Sequence, residues 1–378
     1  MTPDTINTPP DDIEGPRACG PYELASVLDL VNLVHRTLWA EPGGAVPRPT
    51  IGFDYPHVYA TTNLDNIRVF THRGRVVSSV GIYPNTVRTP LGEVSVGGIS
   101  TLATHPDYRR YGLGTQVMED AHRKMMEDGH HIGLLTTRVH DFYRKLGWES
   151  AGRQLSFTFD RGNIDVLGDA GDLEVAEDWI SIVDALNDLH LGEPVTSLRD
   201  PAAFRLLMER KARRIFVGLR NGKGAAYTAV RGTSVVEHAG ALDDVIALLR
   251  CVFAELDDPK VATSERPPGK RATIEMQVTA PDADDGLAGL LMSKGVPHSL
   301  DYLGMIRVLD PVGLFEALGV GGTDVQASDD GWRLTWDEHS RNFSARDLAR
   351  LIFGPERIAP PTPEGLPIAF YQWTADLV

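Results

Sequence analysis

The sequence predicts an α+β fold. A mixed sheet flanked by helices comes first, then a degenerate second version of the same layout, then a small α+β region at the C-terminal end. Three observations predict it. An apolar helical stripe precedes three β-rich runs separated by turn signals between residues 67 and 104. A glycine-containing loop and an amphipathic helix follow directly. A similar order of elements then recurs after residue 160. At 378 residues the chain exceeds one ordinary core, and its 42% apolar and 24% charged residues are a globular balance rather than a disordered one.

Residues 1–18 open as MTPDTINTPPDDIEG, acidic and polar, with neither a charged n-region nor an apolar h-region. They read as a disordered leader without an export signal. A helix is expected within 22–40, where Leu24, Val27, Leu28, Leu30, Val31, Val34 and Leu38 form one stripe. The turns Arg73-Gly74 and Pro90-Leu91-Gly92 divide the next stretch into an antiparallel meander at 67–72, 75–88 and 93–104. From Gly112 the pattern becomes helical, with Leu113, Val117, Ala121 and Met125 spaced by four, and Gly129 stops it. The strand HIGLLTTR, a short helix through Phe142 and Leu146, and the strand GRQLSFTF complete a first domain over 19–160.

The second domain, 161–308, reads as helices at 178–190 and 201–212, then strands RIFVGLR and AAYTAVRG, then VVEHAG and the helix ALDDVIALLRCVFAEL. The strand ATIEMQV, the helix DGLAGLLMSKG and the strand YLGMIRVLD close it. No glycine loop follows its VVEHAG strand, so this copy is expected to be scaffold rather than catalyst. Residues 309–378 carry the helix PVGLFEALG, strands DVQAS and WRLTW, and the helix SARDLARLIFG, opened by an approximate capping box of Ser344 and Asp347. A Pro-rich connector, Ile358 to Pro367, leads to a tail with Phe370, Tyr371 and Trp373.

Composition excludes several classes. A net charge of −15 argues against a nucleic-acid partner. Placed in a pocket, such charge favours a cationic amine; spread over the surface, it only keeps the protein soluble. No run approaches the roughly 20 apolar residues that span a bilayer, so no membrane association is expected. The two cysteines, Cys19 and Cys251, lack metal-type spacing and fit a reducing cytosol, with no metal site. Cys251 sits in an apolar run and reads as a buried structural thiol.

The strongest signal runs from Thr101 to Thr115, TLATHPDYRRYGLGT. A strand ends, a donor-rich loop follows, and a helix begins. The helix N-terminus offers unpaired N–H groups and about half a positive charge, a fit for a pyrophosphate. Gly112 and Gly114 let phosphates reach the backbone, and Arg109 and Arg110 add charge-assisted bonds.

Arg109-x-x-Gly112-x-Gly114 resembles the pyrophosphate loop of the GCN5-related N-acetyltransferase (GNAT) superfamily. The resemblance implies acetyl-coenzyme A as co-substrate, with contacts to Leu102, Ala103, Thr104, Arg109, Arg110, Tyr111, Gly112, Leu113, Gly114 and Thr115. The segment Asp141-Phe142-Tyr143-Arg144-Lys145-Leu146-Gly147-Trp148 is similar to the superfamily's F-Y-x-x-x-G-[FW] segment. It implies Tyr143 as the general acid for the departing thiolate, with Phe142 packing in the core. The three-part organisation resembles the Eis-like (enhanced intracellular survival) acetyltransferases. That resemblance implies a sterol-carrier-like C-terminal domain, a homohexamer, an aminoglycoside-like or polyamine substrate, and the Val378 carboxylate as base. Val378 stands where the best-known members have an aromatic residue.

The resulting expectation is a cytoplasmic N-acetyltransferase acting by direct attack of an amine. The rival readings are a non-catalytic acetyl-CoA sensor or binding module, and a lipid-binding role for the C-terminal domain. Trp39 is a candidate wall of the amine pocket, with a core or interface position as the alternative. His105, His130, His131 and His140 are further candidate bases, each also readable as a solvated histidine.

Overall fold

The computed structural model describes residues 8, 10–37, 50–211, 214–258, 274–282, 286–329, 331–355, 360–373 and 376. Trp39 and Val378, singled out above, lie outside the described residues. The first part of the chain forms β1 (Ile13–Ala18), α1 (Leu24–His35), α2 (Ile51–Asp54), β2 (Ile67–His72), β3 (Arg75–Arg88) and β4 (Glu93–Thr104). It continues with α3 (Leu113–Glu127), β5 (Ile132–Leu135), α4 (His140–Arg144), β6 (Glu149–Ala151) and β7 (Gln154–Phe159). The meander of β2, β3 and β4 has the boundaries its turn residues predict. Along α3 the buried Leu113, Val117, Ala121 and Met125 face the sheet. Burying Leu113, Val117 and Met125 contributes roughly 1.5–3 kcal/mol each, and the Ala121 methyl less. Gly97 permits this close approach, because a Cβ there would stand 2.2 Å from the Met125 sulfur.

The middle of the chain forms β8 (Glu174–Ala176), α5 (Val183–Gly192), β9 (Thr196–Ser197), α6 (Pro201–Lys211), β10 (Arg214–Arg220), β11 (Lys223–Arg231) and β12 (Ser234–Gly240). Then come α7 (Leu242–Asp257), β13 (Met276–Pro281), α8 (Leu287–Ser293), β14 (His298–Asp301) and β15 (Gly304–Val308). The last part forms α9 (Pro311–Ala317), β16 (Thr323–Ser328), β17 (Gly331–Trp336), β18 (His339–Phe343) and α10 (Ala345–Phe353).

Among the described residues these strands make three sheets. The first has the order β1-β2-β3-β4-β5-β15-β6, with β9 joining β3; the second is β14-β7-β13-β12-β11-β10-β8; the third is β16-β17-β18. The first two sheets therefore exchange strands. β7, expected to close the first domain at residue 160, pairs with β13 from Gln154–Pro281 to Phe159–Met276. Its Leu155, Phe157 and Phe159 pack in the second core. β15, expected to end the second domain, inserts between β5 and β6 of the first sheet, and its Met305 packs with Trp148 and Met125. Sheet membership thus crosses the boundary at 160 in both directions.

Three further expectations are corrected. The leader is not disordered throughout, because Ile13–Ala18 pair with β2 and Asp12 hydrogen-bonds to His72 and ion-pairs with Arg73. The C-terminal region is not a separate appendage. Leu348, Leu351, Ile352 and Phe353 of α10 share one core with Val94, Val96, Ile132 and Ile306 of the first sheet. Ser344 caps α10 as expected, its hydroxyl accepting from Asp347 N–H at 3.1 Å. Cys251 is half-buried rather than buried.

Candidate active site

β4 and β5 run parallel and pair from Val96–Ile132 to Gly98–Leu134, where the register ends. β5 stops at Leu135 while β4 continues to Thr104, so the two strands diverge. The cause of the divergence is local. Thr101 has φ 40°, a left-handed conformation unusual for a β-branched residue, and the β3–β4 register slips between Ser79 and Gly81. The bulge turns the end of β4 away from β5. A hydrogen bond between the Tyr59 and Thr101 hydroxyls braces it.

The gap is a cavity of about 990 Å³. Its walls are Ile99, Thr101, Leu102 and Thr104 of β4, the stretch from Leu135 to Val139, and Val34 and His35 of α1. Arg109 and Gly114 close it at one end, Phe142 and Tyr143 at the other.

At the loop end, Gly112 is the N-cap of α3 with φ 74°, a conformation that favours glycine. Gln116 N–H donates back to Gly112 O at 3.1 Å, so the amides of Leu113, Gly114 and Thr115 precede the intrahelical ladder. The first turn of α3 carries no acidic residue. A polyanion at this end would meet free amides, a positive helix terminus and the exposed side chains of Arg109 and Arg110.

At the opposite end, α4 packs the Tyr143 ring against Phe142 and Trp148. Leu146 N–H and Trp148 N–H both donate to Tyr143 O, fixing its backbone. Burial pushes the Tyr143 phenol up to about 12. It therefore stays protonated, and a proton donor, throughout the physiological range.

Of the residues expected from the loop, Leu102, Thr104, Arg109 and Gly114 line the cavity with Tyr143. Ala103 faces the other way, into the core beneath α1. Leu113 packs in the core under α3, while Arg110, Tyr111, Gly112 and Thr115 shape the loop around it. The four candidate histidines do not line the cavity. His105 Nδ1 accepts from Asp107 N–H, and His130 and His131 bond to Ser95 at the far end of β4. His140 is exposed at the start of α4.

His35 was not singled out from the sequence, yet it reaches the site. Its Nε2 donates to Leu102 O at 3.1 Å, and burial lowers its pKa, which keeps the imidazole neutral. The available signal was a polar residue on an apolar stripe, four positions after Val31.

Residues 49–151 match the family model of the Acetyltransferase (GNAT) domain. No curated protein matches the sequence. Among solved structures, a GCN5-related N-acetyltransferase from Kribbella flavida is similar, with a TM-score of 0.61 at 16% identity over 89% of this chain and 88% of that one. A GCN5-related N-acetyltransferase from Anabaena variabilis gives 0.60 at 14% identity, covering 86% and 83%. Eis1 from Mycobacterium abscessus gives 0.55 at 14% identity, covering 87% and 84%. At such identities the likeness is one of fold, and it is the GNAT-type, Eis-like architecture that the loop and the order of elements led us to expect.

Proposed function

We propose that this chain, an acyltransferase with a GNAT acetyltransferase domain, moves the acetyl group of acetyl-CoA onto a primary amine of a small cationic molecule by direct attack. The observation that carries the reading is the convergence on one cavity of a free helix N-terminus, a splayed strand edge and the buried Tyr143 hydroxyl.

In this reading the diphosphate lies on the amides at the start of α3, and the pantetheine arm runs along the unpaired edge of β4. The amine nitrogen attacks the acetyl carbonyl, and a backbone N–H of the splayed strand stabilises the oxygen as it gains charge. As the C–S bond breaks, Tyr143 donates its proton to the sulfur, and the amine's surplus proton passes to a base. The tail is the proposed source of that base. Val378 follows Asp376 by two residues, a span of at most about 7 Å. Asp376 in turn is close enough to Tyr83, on the α1 face of the first sheet, for its charge to act on that phenol. The cationic acceptor rests on the Eis-like resemblance rather than on the charge of the cavity, whose lining includes Arg109 and Arg138.

The test is direct. Purified protein is incubated with acetyl-CoA and a panel of polyamines, aminoglycosides and peptide amines, and products are read by mass spectrometry. We expect an added acetyl group on at least one small polyamine or aminoglycoside. Binding of acetyl-CoA with no acetylated product across the panel would replace this reading with that of a binding module.

A further inference from the structure

The second domain has its own parallel strand pair, β12 with β13, joined only at Ser234–Gln277 and Val235–Val278 before the strands part. This gap is the counterpart of the one between β4 and β5, and the C-terminal tail packs against both of its strands. Trp373 packs its ring 5.0 Å from that of His238 on β12, and Tyr371 stacks edge-on against Trp373 at the same separation. Tyr371 lies beside Thr279 on β13, and both tail rings are fully buried.

Beyond the rings, the tail is held by charge. Arg199, just after β9, forms paired hydrogen bonds to Glu237 of β12 at 2.8 and 2.9 Å, and to Asp376 of the tail at 2.8 and 2.5 Å. The three side chains are 1%, 0% and 0% exposed. Tyr227 donates to Glu237 Oε1 at 2.6 Å, which satisfies the carboxylate further. Burial alone would raise Glu237, but the Arg199 guanidinium and His190 outweigh it and hold its pKa low. A buried guanidinium between two carboxylates is costly unless its geometry is well satisfied, and here both forks are occupied.

We infer that the gap between β12 and β13 is a socket for the tail, and that Arg199 is a positioning residue that fixes the tail against the α1 side of the first domain's cleft. Asp376 lies within electrostatic reach of Tyr83. Tyr83 lies on the α1 face of the first sheet, stacked against His57 at 4.4 Å, in the same cluster as Tyr59, which reaches Thr101. The inference rests on the acetyl-transfer reading for its kinetic consequence, not for the holding of the tail.

Asp376→Asn in the full chain tests it. This change loosens the tail and leaves the Arg199–Glu237 pair intact, whereas Arg199→Met strands two buried carboxylates and risks the fold. Hydrogen exchange should quicken about tenfold or more in the segment 368–376. With an acetylated amine as readout, kcat should fall about tenfold or more while acetyl-CoA affinity stays unchanged, and Asp376→Glu should recover part of the loss. Unchanged exchange overturns the inference, as does quickened exchange with unchanged kcat, which would make the tail mere packing. If the wild-type chain acetylates no amine, the acetyl-transfer reading fails on its own, and exchange alone decides whether Arg199 holds the tail.

Discussion

The two large domains each part a pair of parallel strands, and they use the parting in opposite ways. In the first, β4 and β5 separate after Gly98–Leu134 and leave an open cavity, with α3 starting at a glycine and carrying no acid in its first turn. In the second, β12 and β13 separate after Val235–Val278, and Tyr371 and Trp373 pack against both strands there. There α7 starts at Ala241 with Asp243 and Asp244 in its first turn, and Asp244 is bound to Arg220 at 2.5 Å. Those carboxylates would repel a diphosphate from the helix terminus. Strand topology alone therefore does not make a site. The vacancy between the strands and the sign of charge at the helix start decide whether the same framework holds a substrate or its own chain.

The largest effect that tests this contrast comes from Tyr143, whose role has no counterpart proposed in the second domain. Tyr143→Phe should lower kcat by about 10²–10⁴ while calorimetry with acetyl-CoA gives an unchanged affinity. Because burial raises this phenol to about 12, its proton-bearing form persists as pH rises. The wild-type kcat profile should then show no falling limb from Tyr143 up to pH ~10. A limb below pH ~9 that disappears in Tyr143→Phe would contradict the assignment.

A smaller effect separates the two helix starts. Gly114→Glu sets a carboxylate among the amides of α3 and should weaken acetyl-CoA binding about 100-fold. Ala241→Glu at the head of α7 should leave calorimetric affinity as it was. Equal losses in both variants would make the second domain a cofactor site and dissolve the contrast. The smallest effect isolates charge from bulk. A Cβ at Gly114 meets only Thr104 Oγ1, at 3.4 Å, so Gly114→Ala should leave the fold intact and weaken binding by no more than about tenfold, less than Gly114→Glu.

Much of the first domain was legible because its signals are local. Arg73-Gly74 and Pro90-Leu91-Gly92 set the turns of the meander, and the spacing of Leu113, Val117, Ala121 and Met125 set α3. Gly114 marked one end of the cavity, and the Phe142-Tyr143 segment marked the other. What escaped is non-local. Alternation in Gln154–Phe159 identifies a strand but carries no information about which sheet receives it. β9 and β6 are too short to impose a period, and β1 is polar enough to pass for leader. The bulge at Thr101 gives no warning, since a β-branched residue argues for extended backbone. Asp376 and Arg199, 177 residues apart, meet only once the tail has docked.

The exchanged strands bear on how such a molecule can be inherited. A recombination event that copied residues 19–160 alone would carry β7 away from its partners β13 and β14 and leave β15 behind. The fragment would own a stranded ribbon and a sheet with a slot between β5 and β6, each an edge inviting aggregation. Cut at residue 160, neither unit keeps a complete sheet, so a transfer that preserves this fold has to carry both. Drift in the loopless half is likewise restrained, because it must keep supplying one strand to its working neighbour.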